Sequence, residues 1–119
     1  MPQITVEFSS NLASGLRTDP LAADLHRAVA ETVGSPIGNC KTRFVEQSRV
    51  VIGGGGADQA MLHIDLRILS GRSDAQKRAL GEAALAAGER ALDKPEDVQV
   101  QLTVEVRDLD RDHYHKQIL

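Results

Sequence analysis

Ile4, Val6 and Phe8 alternate with Gln3, Thr5 and Glu7, the period-two pattern of a strand with one buried face. A polar stretch containing a glycine, Ser9 to Thr18, follows as a loop. Asp19-Pro20 reads as a helix start, with Asp as N-cap and Pro at the first helical position. Leu21, Leu25, Ala28, Val29 and Thr32 then recur at helical spacing, and Gly34 is placed to cap the end. Lys41 to Ile52 is rich in β-branched and alternating residues and predicts a second strand. Gly53 to Gly56 end it as a flexible hairpin loop; no Lys-Ser/Thr pair and helix follow, as a phosphate-binding loop would need.

The second half repeats the plan. From Gln59 to Leu69, Ala60, Leu62, Ile64, Leu66 and Ile68 take one face, and Met61, His63, Asp65, Arg67 and Leu69 the other. A helix is predicted from Asp74 to about Leu92, opened by Ser73 and Gln76 at capping-box spacing. Its inner stripe is Leu80, Ala84, Ala87 and Ala91. Lys94-Pro95 breaks it, and Val98 to Arg107 alternates as a last strand. The tail from Asp108 to Leu119 is charged and has no clear period.

Strand, helix, strand occurs twice, with halves at roughly 1–57 and 58–119 of a single domain over 1–119. A βαβ unit joins parallel strands by a right-handed crossover. Two such units side by side predict an α/β (α+β) fold: a four-stranded sheet with both helices on one face. The other face would carry Glu7, His63, Asp65, Arg67, Gln101 and Glu105, too polar for a second core layer. Mixed signs let these charges pair, and the face meets water or another subunit.

Composition narrows the function classes. The 119 residues are 41% apolar and 26% charged, with net charge −3. That balance favours neither nucleic acid nor an anionic membrane as partner. No apolar run approaches the ~20 residues of a membrane span, and the N-terminus lacks the pattern of a secretory signal. With a single cysteine, Cys40, no internal disulfide can form, and a cytoplasmic location is expected.

The chemistry begins at Met1-Pro2. Initiator methionine is usually trimmed before a small residue, which would leave the secondary amine of Pro2 as the chain terminus. An α-amino group titrates near pH ~8, against ~10.4 for lysine. Burial and nearby cations lower it further, toward the range of a general base at neutral pH. Arg72, at a helix start where backbone N–H groups point outward, is a candidate anion site. Lys41 and Arg43 share one strand face. His63 is expected to be a hydrogen-bonded interface or core residue. Cys40 beside Lys41 is either a small buried thiol or one of lowered pKa. Asp110, Asp112, His113 and His115 are metal-ligand types without a metal-site spacing, and read as a solvated or interface-forming tail.

The chain resembles the tautomerase superfamily, in particular its 5-carboxymethyl-2-hydroxymuconate isomerase branch. The resemblance rests on Met1-Pro2, on Pro36-Ile37-Gly38 followed by Lys41 and Arg43, on His63, on Ser70-Gly71-Arg72-Ser73, and on Lys116-Gln117. It implies a cofactor-free isomerase of homoprotocatechuate degradation, assembled as a trimer around its sheets. The N-terminal proline would carry a proton from the 2-hydroxyl side of a dienol to a distant carbon. Arg72 matches the family arginine that binds the carboxylated substrate, and Arg43 matches another. A further family arginine falls on Lys41, a compact point charge in place of a two-pronged fork. A hydration or dehalogenation at the same proline, and a non-catalytic oligomeric binding protein on the same scaffold, are the alternatives.

Overall fold

The computed structural model describes residues 1–119. Strand β1 spans Gln3–Ser9, β2 Lys41–Gln47, β3 Gln59–Leu69 and β4 Gln99–Leu109. Helix α1 (Thr18–Val33) joins β1 to β2, and α2 (Asp74–Ala91) joins β3 to β4. The sheet order is β2-β1-β3-β4. β1 runs parallel to β2 and β3 parallel to β4, while the central pair β1/β3 is antiparallel. This is the expected doubled βαβ plan. Antiparallel pairing of the centre puts the starts of β1 and β2 and the exits of β3 and β4 at one end of the sheet.

The alternation dictates the packing. Ile4, Val6, Ala60, Leu62, Ile64, Leu66 and Ile68 are fully buried under the helices. Their neighbours along the strands point to the opposite face. α1 meets the sheet with Leu21, Leu25, Ala28, Val29 and Val33, so Val33 completes the stripe and half-buried Thr32 bonds the Ala28 carbonyl instead (2.7 Å). α2 approaches more closely through Leu80, Ala84, Ala87, Gly88 and Ala91. At Gly88 a Cβ would lie 3.0 Å from Leu102 Cδ1 and 3.3 Å from Ile64 Cδ1, so the missing side chain sets the helix–sheet spacing. The capping box at Ser73 and Gln76 forms in full. Gly34 closes α1 in the left-handed conformation, at φ 75°.

Three expectations are corrected. α1 is capped by Arg17, without a side-chain cap bond, and begins at Thr18. The Leu16–Leu92 bridge and the Arg17 N–H to Ala91 carbonyl bond (2.9 Å) fix the chain there, leaving Asp19 and Pro20 inside the first turn. β2 stops at Gln47 rather than Ile52. As an edge strand it pairs with β1 alone, and the register ends at Ser9 opposite Gln47. The glycine run is also no hairpin, since β2 and β3 flank β1 and do not pair. It belongs to a connection crossing the end of β1, turned by a Gly55 N–H to Ile52 carbonyl bond of 2.9 Å. In addition, β4 runs past Arg107 to Leu109 and leads to a short 3-10 turn at Arg111–His113.

The polar sheet face is laced by cross-strand pairs. Arg107 grips Asp65 with two bonds of 2.9 and 2.8 Å, Gln47 donates to Glu7 (3.1 Å), and His63 Nδ1 lies 2.7 Å from Thr103 Oγ1. No helix is long and apolar enough to cross a membrane.

Candidate active site

The doubled βαβ topology collects four chain segments at the sheet end where β1 begins. Pro2 is buried, less than 2% exposed, and its carbonyl accepts the Lys41 N–H at 3.2 Å. That bond extends the β1/β2 ladder by one step and seats the chain terminus beside the start of β2. The exit of β3 supplies Ser70 to Arg72, and Gly71 turns the chain at φ 105°. The exit of β4 supplies the tail. It crosses beneath the sheet in order: Arg111 Nε and Nη2 donate to the Ser70 carbonyl (3.2 and 2.9 Å), and Tyr114 OH accepts from Gln3 Nε2 (2.8 Å). Lys116 Nζ then reaches Asn39 Oδ1 at 3.2 Å and Met1 Sδ at 3.8 Å.

The result is a convergence of positive charge on the terminal amine. With Met1 present, its α-amino group is held below the ordinary value, first by burial and then by Arg72, Lys41 and Arg111. Each of these cations disfavours a further proton nearby. None of Arg72, Lys41, Arg111 and Lys116 forms an ion pair; every carboxylate bridge in the molecule involves other cations. Lys41 Nζ bonds only the Asn39 carbonyl (3.0 Å). Arg72 Nε is buried and has no hydrogen-bond partner. A buried donor without an acceptor is costly, and an anion at this end of the sheet could satisfy it.

The residues singled out in the sequence do not all meet here. Pro2, Arg72 and Lys41 do. Arg43 shares the Lys41 face, as the Gln3–Lys41 and Thr5–Arg43 register requires, but its guanidinium is turned onto Gln3 Oε1. His63 lies mid-strand, opposite Glu7 and away from the terminus. Cys40 adjoins the site half-buried, its Sγ 3.7 Å from the Pro36 carbonyl. Burial raises its pKa against the pull of the terminus and Lys41, so it is not an activated thiol. In the tail His113 pairs with Asp110 at 2.6 Å, and no group of three or more His, Cys, Asp or Glu residues is placed to hold a metal.

Arg111 escaped the sequence reading. Its tail has no periodicity, and its nearness to the terminus depends on long-range bonds to Ser70. Neither surface depression of the molecule lies at this end: one is between the helices around Asp24 and Arg90, and the other is near Leu92 and Val100. In one chain the candidate site is an exposed charged surface against a buried proline.

The family model for 5-carboxymethyl-2-hydroxymuconate isomerase matches residues 2–118, and the match begins at Pro2. Comparison with curated proteins gave no match. Among solved structures, a 5-carboxymethyl-2-hydroxymuconate isomerase from Deinococcus radiodurans R1 superposes with TM-score 0.81 at 23% identity. That comparison covers 98% of this chain and 88% of the other. A 5-carboxymethyl-2-hydroxymuconate delta-isomerase gives 0.80 at 24% identity, covering 99% and 88%. A fused 4-OT solved as a symmetric trimer gives 0.66 at 24%, covering 91% and 85%. At these identities the structures speak for the fold alone.

Proposed function

Because the chain belongs to the 5-carboxymethyl-2-hydroxymuconate isomerase family of the tautomerase superfamily, we propose that it isomerises an unsaturated 2-hydroxy carboxylate, a dienol, without a cofactor. The base is the Pro2 nitrogen, freed when Met1 is removed. The observation that carries this reading is the unpaired cation cluster around the chain terminus. It lowers the pKa of the Met1 α-amino group, would act in the same sense on a freed Pro2 nitrogen, and offers charge to a substrate carboxylate.

The chemistry follows from the residues. The Pro2 nitrogen takes the proton of the 2-hydroxyl, whose O–H bond breaks as the C2 carbonyl forms. The double bonds shift along the chain, and the prolinium returns the proton to the distal carbon, giving the conjugated ketone. Negative charge grows on the former hydroxyl oxygen during this transfer. Arg72, at the start of α2 with its Nε free of protein partners, stabilises that charge and binds the adjacent carboxylate. Lys41 adds a second positive charge. Arg43 holds Gln3, which in turn bonds Tyr114 of the tail.

The working unit we propose is a homotrimer in the cytoplasm. Packing the polar sheet faces around an axis would wall a surface that a single chain leaves exposed.

The test is ketonisation of phenylenolpyruvate and 2-hydroxymuconate by protein whose N-terminal mass shows loss of Met1. Turnover by the trimmed protein, lost in protein that keeps Met1 and in the Arg72→Ala variant, supports the reading. Activity equal to that of the trimmed wild type in either would refute the residue roles. Trimmed protein inactive on both substrates would point to a non-catalytic binding protein.

A further inference from the structure

Arg111 is a cation at this end to which the proton transfer above assigns no bond to substrate. Its side chain is oriented by the fold: Nε and Nη2 both donate to the Ser70 carbonyl, and its backbone N–H donates to Ser70 Oγ at 3.2 Å. A guanidinium has five N–H donors. The side-on edge, Nε with one Nη2 hydrogen, is spent on Ser70. The end-on edge, Nη1 with the other Nη2 hydrogen, has no partner in the protein. That edge is a two-pronged fork of carboxylate geometry. It lies beside Gly71, where a Cβ would sit 3.8 Å from Nη2, so the absent side chain leaves the approach clear. Arg111 is also close enough to the Met1 α-amino group to lower its pKa, as Arg72 and Lys41 do.

The other cations cannot do the same. Lys41 and Lys116 present point charges, Lys116 bonded to Asn39, and Arg43 is turned onto Gln3. Arg72 is assigned to the carboxylate next to the reacting hydroxyl.

We propose that Arg111 is a specificity-determining residue, whose free guanidinium edge holds a second carboxylate at the far end of the substrate. The proposal rests on the functional reading above for its substrate, but it can be measured without turnover.

The experiment uses two inert ligands of equal carbon length that lack a hydroxyl. These are trans,trans-muconate, with a carboxylate at each end, and sorbate, with one. Binding to the Met1-trimmed protein is measured by calorimetry for wild type, Arg111→Gln and Arg111→Lys. Wild type should bind muconate about tenfold or more tighter than sorbate, the scale of one charge-assisted bidentate contact. Arg111→Gln should reduce that ratio to near one, by weakening muconate far more than sorbate, and Arg111→Lys should retain part of it. On wild-type protein, the Arg111 guanidinium NMR signals should shift with muconate and stay put with sorbate, a readout that needs no variant.

A ratio near one in wild type, a ratio preserved in Arg111→Gln, or equal weakening of both ligands would overturn the proposal. Equal weakening would mark Arg111 as only a clamp on the Ser70 turn. Failure to ketonise any dienol would sink the functional reading and leave the muconate ratio to decide on Arg111 alone.

Discussion

The two ends of the sheet are built to one backbone pattern and carry opposite chemistry. At the start of the first unit the Pro2 carbonyl accepts the Lys41 N–H; at the start of the second the Asp58 carbonyl accepts the Gln99 N–H (2.8 Å). These bonds occupy equivalent places in the two βαβ units, each one step before the parallel ladder. At the Pro2 end the preceding residue is a chain terminus, and the surrounding cations lack carboxylate partners. At the Asp58 end the equivalent residue is an internal peptide with an acidic side chain. The arginine entering the nearby helix, Arg17, is neutralised by Asp93 at 2.7 Å. The fold offers two equivalent positions, and only one of them lies beside the chain terminus and cations without carboxylate partners. An amide nitrogen at position 58 has no basic lone pair, whatever surrounds it.

The contrast can be broken at either end. The largest effect belongs to retention of Met1, which keeps the Pro2 nitrogen an amide and should lower kcat/KM for dienol ketonisation by roughly 10²–10⁴-fold, the worth of a positioned general base. Asp58→Asn, at the counterpart of Pro2, should leave the rate unchanged in the same assay. Next comes Arg72→Gln, with a loss of about 10²-fold or more from removing one charge-stabilising donor, and with a second signature in the pH profile. Arg72 lowers the pKa of the Met1 α-amino group; the same charge beside a freed Pro2 nitrogen acts in the same sense, so its removal should let that pKa rise. The acidic limb of kcat/KM should therefore move to higher pH. Arg17→Gln, at the other end, should change neither rate nor profile.

Smaller effects separate stability from function. At the Asp58 end a Cβ on Gly15 would lie 2.3 Å from the Asp93 carbonyl oxygen, where the Asp93 N–H already bonds the Gly15 carbonyl (2.8 Å). Gly15→Ala should cost about 1–3 kcal/mol in denaturant unfolding, the usual scale of overpacking, with kcat/KM intact below the melting transition. The smallest effect is at His26, whose Nε2 lies 2.8 Å from Thr42 Oγ1 and whose pKa burial lowers. A histidine with a depressed folded-state pKa contributes stability above its unfolded value of about 6.5 and loses it as pH falls through that range. His26→Gln should flatten the acid side of the stability profile below about pH 6.5, measured by thermal melts.

The same comparison shows what the sequence made legible. Strand β3 and the start of α2 could be read to the residue, because strict alternation and the Ser73–Gln76 box are local signals. The end of β2 could not, since β-branched Val50, Val51 and Ile52 carry strand propensity but have no partner beyond the end of β1. The glycine connection was misread because adjacency in sequence suggests a hairpin, and only the insertion of β1 between β2 and β3 excludes one. In the site, Pro2, Lys41 and Arg72 stand at element boundaries that can be located from pattern and resemblance. Arg111 and Lys116 reach the terminus through a tail without period, guided by the Ser70 carbonyl and Tyr114, and contacts of that range leave no trace in local sequence.

The central claim is that the Pro2 nitrogen is a free amine with a depressed pKa that governs the reaction. It is tested most directly by ¹⁵N NMR titration of the trimmed protein labelled at proline, alongside its pH–rate profile. The expected result is one proline amine resonance that titrates below the ordinary α-amino value, coincides with the acidic limb of kcat/KM, and moves upward in Arg72→Gln. An amine that titrates at or above the ordinary value, or apart from the kinetic limb, would contradict it.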